Sequence, residues 1–333
     1  MRLFKRLLCG IMVGILALGL IACNSKPSEV DSPASESPIS LHIAYQYGLA
    51  YAPLIICQEN KLIEKAVKEA TGKDAEISWD QMSSGADINV GIASGNIDVG
   101  FMGIAPAITG ISKNVGYKIF TNLSGQEHGM MTNDSEISSL ADIIGSSKQV
   151  ALVNIGSIQH IILGLALSAN GYDAHALDSN LVAMKHPDGM TALESNSIAC
   201  HLTSNPYIYK ERNNDTLHEI SEVKDCWSTE NSFIVGVAST SRFSENPEVY
   251  DALCSAIAEA IDFINNDIES AAKITCEYNG NSYEDELFYL QAGNYSSETK
   301  GVFELAQFMF ENAFIEKGFE DYSDLVFSNV KGS

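Results

Sequence analysis

Arginine is almost missing from this chain: among 333 residues only Arg2, Arg6, Arg212 and Arg242 occur. Lys and Arg together number 20 against 43 Asp and Glu, a formal net charge of −23. A nucleic-acid binder needs basic surface to displace counterions from phosphates, so that class is excluded. Seven cysteines without a C-x-x-C pair do not make a disulfide-built miniprotein and lack metal-ligand spacing. Catalytic signatures are also missing: there is no G-x-S-x-G, H-E-x-x-H, G-x-x-x-x-G-K-[ST] or G-x-G-x-x-G. The seven His include no i, i+4 pair, and His128 and His160 read as hydrogen-bonded or surface residues rather than ligands. The expectation is therefore no enzyme, no cofactor and no metal. Disorder is excluded as well, because 45% of the residues are apolar.

What is present begins with a leader. Arg2, Lys5 and Arg6 precede an uncharged stretch, residues 7–22. That is shorter than the roughly 20 residues a bilayer span needs, and it reads as a signal-peptide core. It ends Leu20-Ile21-Ala22-Cys23, which resembles a bacterial lipobox. The resemblance implies a signal peptide over 1–22, cleavage before Cys23, and lipid, palmitate included, on the Cys23 thiol. Residues 23–38 hold five Ser and three Pro and read as a flexible tether. The body is expected outside the cytoplasm, at the cell surface or in a periplasm, held to the membrane by lipid. Cys57, Cys200 and Cys254 sit among apolar residues and read as free thiols, with a pairing of Cys226 left open.

The body alternates strands and helices. Strands are expected over 41–46, 75–79, 99–102 and 117–123, and again over 149–154, 181–184 and 198–203. Helices are expected over 53–71, 84–94, around Pro106, and over 158–170, 190–196 and 206–212. A further strand at 233–239 is followed only by helices, over 247–266, 268–278, 284–292 and 298–317. The pattern predicts an α/β fold of two mostly parallel sheets flanked by helices. A two-lobed body with two crossings suits it, near 125–133 and 230–233. Lobe 1 would comprise 39–126 and 232–333, and lobe 2 residues 127–231.

In open α/β sheets ligands bind beyond the carboxyl ends of the strands. Those ends read Gln81-Met82-Ser83-Ser84-Gly85, Gly103-Ile104-Ala105-Pro106, Asn154-Ile155-Gly156-Ser157 and Ser204-Asn205-Pro206. Each is small and hydroxylic or amidic, and each begins a helix, where Ser, Asn and Gly satisfy free N–H groups. Several such starts facing one cleft make a polar site that tolerates an anion. Tyr45, Tyr47 and Tyr51 follow the first strand and offer rings to an organic ligand. Trp227 is a second aromatic candidate.

The stretch Ala93-Ser-Gly-Asn-Ile-Asp-Val-Gly-Phe-Met-Gly-Ile-Ala-Pro106 resembles the small-x-G-x-x-D-h-G-h-x-G-x-x-P segment of nitrate/sulfonate/taurine-type periplasmic binding proteins of ABC importers. Gly156-Ser157-Ile158-Gln159-His160 resembles that family's G-S-x-x-H turn, and Ser244 to Glu248 its return helix. The likeness runs from about residue 41 to 266. It implies a periplasmic-binding-protein-like fold of the two-crossing type, capture of a small solute, and delivery to a permease with an ATPase. By position Gln46, Tyr47, Ser84, Gly85, Gly103, Ile104, Gly156, Ser157 and Asn205 would line the cleft. No Lys or Arg occurs in those loops, so recognition by neutral donors and helix starts is expected. The family also includes receptors for thiamine pyrimidine precursors. A surface lipoprotein that senses a ligand without transport is the reading from another class.

Overall fold

The computed structural model describes residues 37–333. The leader, the lipobox at Cys23 and most of the tether lie outside the described residues. Strand β1 (Ile39–Tyr45) leads into helices α1 (Ala52–Asn60) and α2 (Leu62–Thr71). Next come β2 (Ala75–Gln81), α3 (Gly85–Ala93), β3 (Val99–Gly103), α4 (Ile104–Ser112) and β4 (Tyr117–Ser124). The chain continues through β5 (His128–Thr132), β6 (Val150–Leu152), α5 (Ile158–Ala169), β7 (Leu181–Ala183), α6 (His186–Glu194), β8 (Cys200–Ser204), α7 (Tyr207–Arg212), β9 (His218–Glu219) and α8 (Ser221–Lys224). It ends with β10 (Ile234–Ser239), α9 (Thr240–Ser244), α10 (Pro247–Asn266), α11 (Ile268–Asn279), α12 (Tyr283–Gln291) and α13 (Val302–Glu311).

Two five-stranded sheets result, ordered β2-β1-β3-β10-β4 and β7-β6-β8-β5-β9. In each, one strand opposes its neighbours: β10 in the first and β5 in the second. The remaining strands of each sheet run one way, so their carboxyl ends share an edge. Strand β3 is buried along its whole length, and its Val-Gly-Phe-Met-Gly sequence is the continuous small and apolar run that a doubly covered strand needs. The chain leaves the first sheet after Ser124 and joins the second at His128. Gly125 lies in that short crossing, where its N–H donates to the Asn294 carbonyl at 2.7 Å. A Cβ on Gly125 would stand 1.9 Å from the Thr229 carbonyl oxygen, on the segment that returns to the first sheet. Only glycine fits there. Arg212 braces the same region by pairing with both Glu127 and Glu219.

Most expected elements are present, and the differences have local causes. The helix expected over 53–71 is broken at Lys61, which takes φ 51° and ends α1. The break re-aims the chain: α1 is buried along its first six residues, whereas α2 buries Leu62, Ile63 and Val67 alone. The segment read as the first crossing contains β5, paired with β8. The helix expected from 190 starts at His186, because Pro187 suits a first helical turn. The last helix is shorter than 298–317 and ends at Glu311. Cys57 and Cys200 are buried free thiols, and Cys226, Cys254 and Cys276 are also unpaired.

Helix α10 anchors the first sheet from one side, packing against α1 and α2. Its Val249, Leu253, Ala256, Ile257, Ala260, Ile261 and Ile264 recur at helical spacing and are all buried. Leu253→Ala should cost about 2–5 kcal/mol of stability through lost transfer energy and the cavity left behind. Urea unfolding measures it as a lower midpoint at unchanged slope.

Candidate functional site

The shared strand edges of the two sheets face one cavity, with about 550 Å³ of unfilled space partly open to solvent. From the first sheet come Gln46, Tyr47, Gly48, Ser83, Gly85, Gly103 and Pro106; from the second Asn154, Ser157, Gln159, Lys185, His186, Ser204 and Asn205. Phe233 and Ile234 enter where β10 begins. Helices α3, α4, α5 and α6 therefore all start at this cavity. Gly103 is small because Ile158 of α5 approaches it: a Cβ there would lie 3.1 Å from Ile158 Cγ2.

Gln46, Tyr47, Gly85, Gly103, Ser157 and Asn205, all expected at the site from the sequence, are brought together here. Tyr51 lines the cavity too, and its hydroxyl donates to Gln46 Oε1 at 3.1 Å. That bond leaves the Gln46 amide N–H₂ as its free end. Tyr45 turns away, packing against Tyr51 and Trp79 and bonding the Tyr278 hydroxyl.

Ser84, Ile104, Gly156 and Trp227 are not among the lining residues. Ser84 is used as the α3 cap: its Oγ accepts from the Asp87 N–H at 3.2 Å and donates to the Asp87 carboxylate at 2.8 Å. The Ile104 N–H donates to the Phe233 carbonyl at 3.0 Å, which removes it from ligand contact. The Gly156 N–H donates to His160 Nδ1 at 3.0 Å. Trp227 is buried elsewhere, with its indole N–H on the Ser232 carbonyl at 3.1 Å. It packs between the returning segment and Gly301, a role in cohesion rather than at the cavity.

Ser157 is both lining and cap. Its Oγ accepts from the His160 N–H at 3.3 Å, so the hydroxyl proton stays available to a ligand. His160 holds the turn: with Nδ1 accepting from Gly156, its Nε2–H points to Asp178 Oδ1 at 2.9 Å. Burial lowers the His160 pKa, consistent with that neutral tautomer.

The expectation of a site without cationic side chains is overturned by Lys185. It is the one Lys or Arg among the lining residues, and no Asp or Glu lines the cavity. Its Nζ stands 5.4 Å from the centre of the Tyr47 ring, a cation–π contact across the cavity. Lys185 was missed because it follows β7, a three-residue strand whose junction lacks small or hydroxylic residues. The rule that picked out the other strand ends applied to this one equally.

A buried polar chain runs inward from the lining residues His186 and Gln159. His186 Nδ1 is 2.8 Å from Thr203 Oγ1, and its Nε2 is 3.2 Å from Gln159 Nε2. Burial pushes the His186 pKa down to about 3. His201 Nδ1 lies 2.5 Å from Glu211 Oε1, both side chains fully buried. Burial drives His201 down and Glu211 up, so both are held uncharged. His186 is neutral in the fold but protonates in the unfolded chain below about pH 6.5. Its stabilising contribution is thus present above that pH and lost as pH falls toward 3. Thermal unfolding between about pH 7.5 and 4 should show stability dropping by up to about 1.4 kcal/mol per pH unit for this one group. The His186→Gln variant should give a shallower slope.

The sequence profile of the NMT1-like family matches residues 34–277. No curated protein matches the chain significantly. Among solved structures it is similar to the alkanesulfonate-binding protein SsuA from Xanthomonas axonopodis pv. citri bound to MOPS. That match has a TM-score of 0.70 at 14% identity and covers 89% of this chain and 99% of that one. The periplasmic aliphatic sulphonate binding protein SsuA from Escherichia coli gives 0.65 at 18% identity, covering 89% and 94%. The periplasmic nitrate-binding protein NrtA from Synechocystis PCC 6803 gives 0.59 at 16% identity, covering 74% and 69%. The fold is thus that of periplasmic binding proteins: two mixed sheets flanked by helices.

Proposed function

Because the chain belongs to the NMT1-like family, we propose that it is the solute-binding lipoprotein of an ABC importer. It captures a small oxyanion, organic or inorganic, between two lobes built on the two sheets. It then delivers the solute to a permease served by an ATPase. The observation that carries this reading is the charge of the cavity. In a chain of net charge −23, the lining holds one lysine and no carboxylate, at the starts of four helices. Free N–H groups and the positive ends of helix dipoles stabilise a bound anion, and Lys185 adds a full charge. The solved relatives named for sulfonate and nitrate binding are in keeping with this.

Calorimetry with ethanesulfonate and with nitrate tests it. Lys185→Met should weaken binding of the anion that the parent takes by about 10- to 150-fold, from a loss of roughly 1.5–3 kcal/mol. An unchanged affinity would remove Lys185 from the site. Tyr47, Tyr51 and Phe233 also give the cavity aromatic walls, which favours a second reading, a receptor for a thiamine pyrimidine precursor or other heterocycle. A neutral heterocycle would bind Lys185→Met as well as the parent.

Anchoring rests on the lipobox and the Ser/Pro tether. Cys23→Ser should leave an unlipidated precursor and release the body from membranes on carbonate washing. A variant processed and lipidated like the parent would overturn the anchor.

A further inference from the structure

After α13 the chain runs against helices of both sheets. At the far end of this stretch the Ser112 hydroxyl of α4 donates to the Lys317 carbonyl at 2.8 Å. At the near end Ala313 holds φ 59°, a left-handed conformation that a residue with a Cβ adopts at a cost. That turn sets Phe314 against α5. A Cβ on Gly164 of α5 would stand 2.8 Å from Phe314 Cζ, so this glycine inside a helix makes room for the ring. Helix α4 follows the first sheet and α5 belongs to the second. Residues 312–317 therefore strap the two together, in addition to the crossings.

The strap meets the second sheet's side at His175. Its Nε2 is 2.7 Å from the Asn312 carbonyl, and its Nδ1 is 2.8 Å from Asp178 Oδ2. A carbonyl and a carboxylate only accept, so both ring nitrogens carry hydrogen and the ring is the imidazolium. The Phe314 ring lies against it, centres 4.2 Å apart, where a cation is favoured. Asp178 Oδ1 also takes the His160 Nε2–H of α5, so this contact and the Gly156-Ser157 turn share one carboxylate. Asp173, whose Oδ1 accepts the His175 backbone N–H at 2.8 Å, adds a second negative charge. Partial burial works against the charge on His175. The Asn312 carbonyl, Asp178 and Asp173 outweigh it and hold the pKa above the ordinary histidine value. The side chain keeps 36% of its surface exposed, so its proton exchanges with water.

We propose that His175 is the clasp of a pH-sensitive strap: as the imidazolium it fastens residues 312–317 to the α5 side, and on losing its proton it lets them go. A neutral ring has one N–H for two acceptors, so either Asn312 or Asp178 is dropped, and the cation against Phe314 goes with it. The contact is complete below about pH 6.5, the ordinary histidine value, and is lost as pH rises through the higher folded value. Its sign is opposite to that of His186, which weakens the fold as pH falls. The clasp works whatever solute the cavity takes.

Two measurements on the full-length protein in detergent test it. Ring-nitrogen NMR should show His175 titrating above about 6.5, with both nitrogens protonated below its midpoint. Amide exchange, corrected for its intrinsic pH dependence, follows the Phe314 and Ile315 N–H groups, both bonded to the Met309 carbonyl. Their opening should be about two- to fivefold greater at about pH 9 than at about pH 6, the worth of a part-exposed ion pair. In His175→Gln, with its melting transition checked first, opening should already be raised at the lower pH and should not vary with pH. A His175 midpoint at or below about 6.5 overturns the clasp, as does opening in the parent that ignores pH. A pH response that survives in His175→Gln, or parent-like protection of that variant at the lower pH, also overturns it.

Discussion

A strand that hands its chain to a helix leaves unpaired backbone N–H groups at the first turn, and the site is built on that constraint. Because all strands but one in each sheet run the same way, these first turns gather at one edge per sheet. Face the two edges toward each other and the cavity acquires donors before any side chain is chosen. The side chains then divide the labour. Ser84 caps its own helix, Ser157 caps and still offers a proton, and Lys185 supplies charge where the backbone supplies only dipole.

The wall is backed by neutral groups rather than by ion pairs. Gln159 and His186 of the lining continue into a buried polar chain through Thr203, and His201 and Glu211 extend the polar layer. A carboxylate placed there would compete with any bound anion for Lys185. Burial keeps the imidazoles uncharged, so they add no charge to that of Lys185 and the helix starts. Arg212, one of four arginines, is placed outside the cavity, bracing the crossing through Glu127 and Glu219.

Period and punctuation made most of the fold legible. Pro247 opens α10 and apolar spacing carries it to Asn266, as the sequence indicates. The strand-end rule found Gly85, Gly103, Ser157 and Asn205, because small and amidic residues announce a helix start. It missed Lys185 and His186, since the junction after the strand expected over 181–184 carries none of the small or hydroxylic residues that announce a turn. It could not separate Ser83, which lines the cavity, from Ser84, which caps α3; adjacent serines differ only in direction. Trp227 was placed at the site on ring chemistry alone, and tertiary packing decided otherwise. The left-handed turn at Lys61 has no glycine to signal it.

The unpaired cysteines of the described residues would respond unequally to an oxidant. Only the thiolate reacts readily with peroxide or disulfide, and burial suppresses it. Cys57 is pushed upward by its apolar surroundings and by nearby Glu64 and Glu259, and Cys200 and Cys254 are raised to about 11. At neutral pH each of the last two is ionised in roughly one molecule in ten thousand. Oxidation at Cys57 and Cys200, both buried, therefore depends on how often the fold opens. For these two thiols the hydrophobic core serves as a redox shield, and their chemical lifetime is tied to the folding equilibrium.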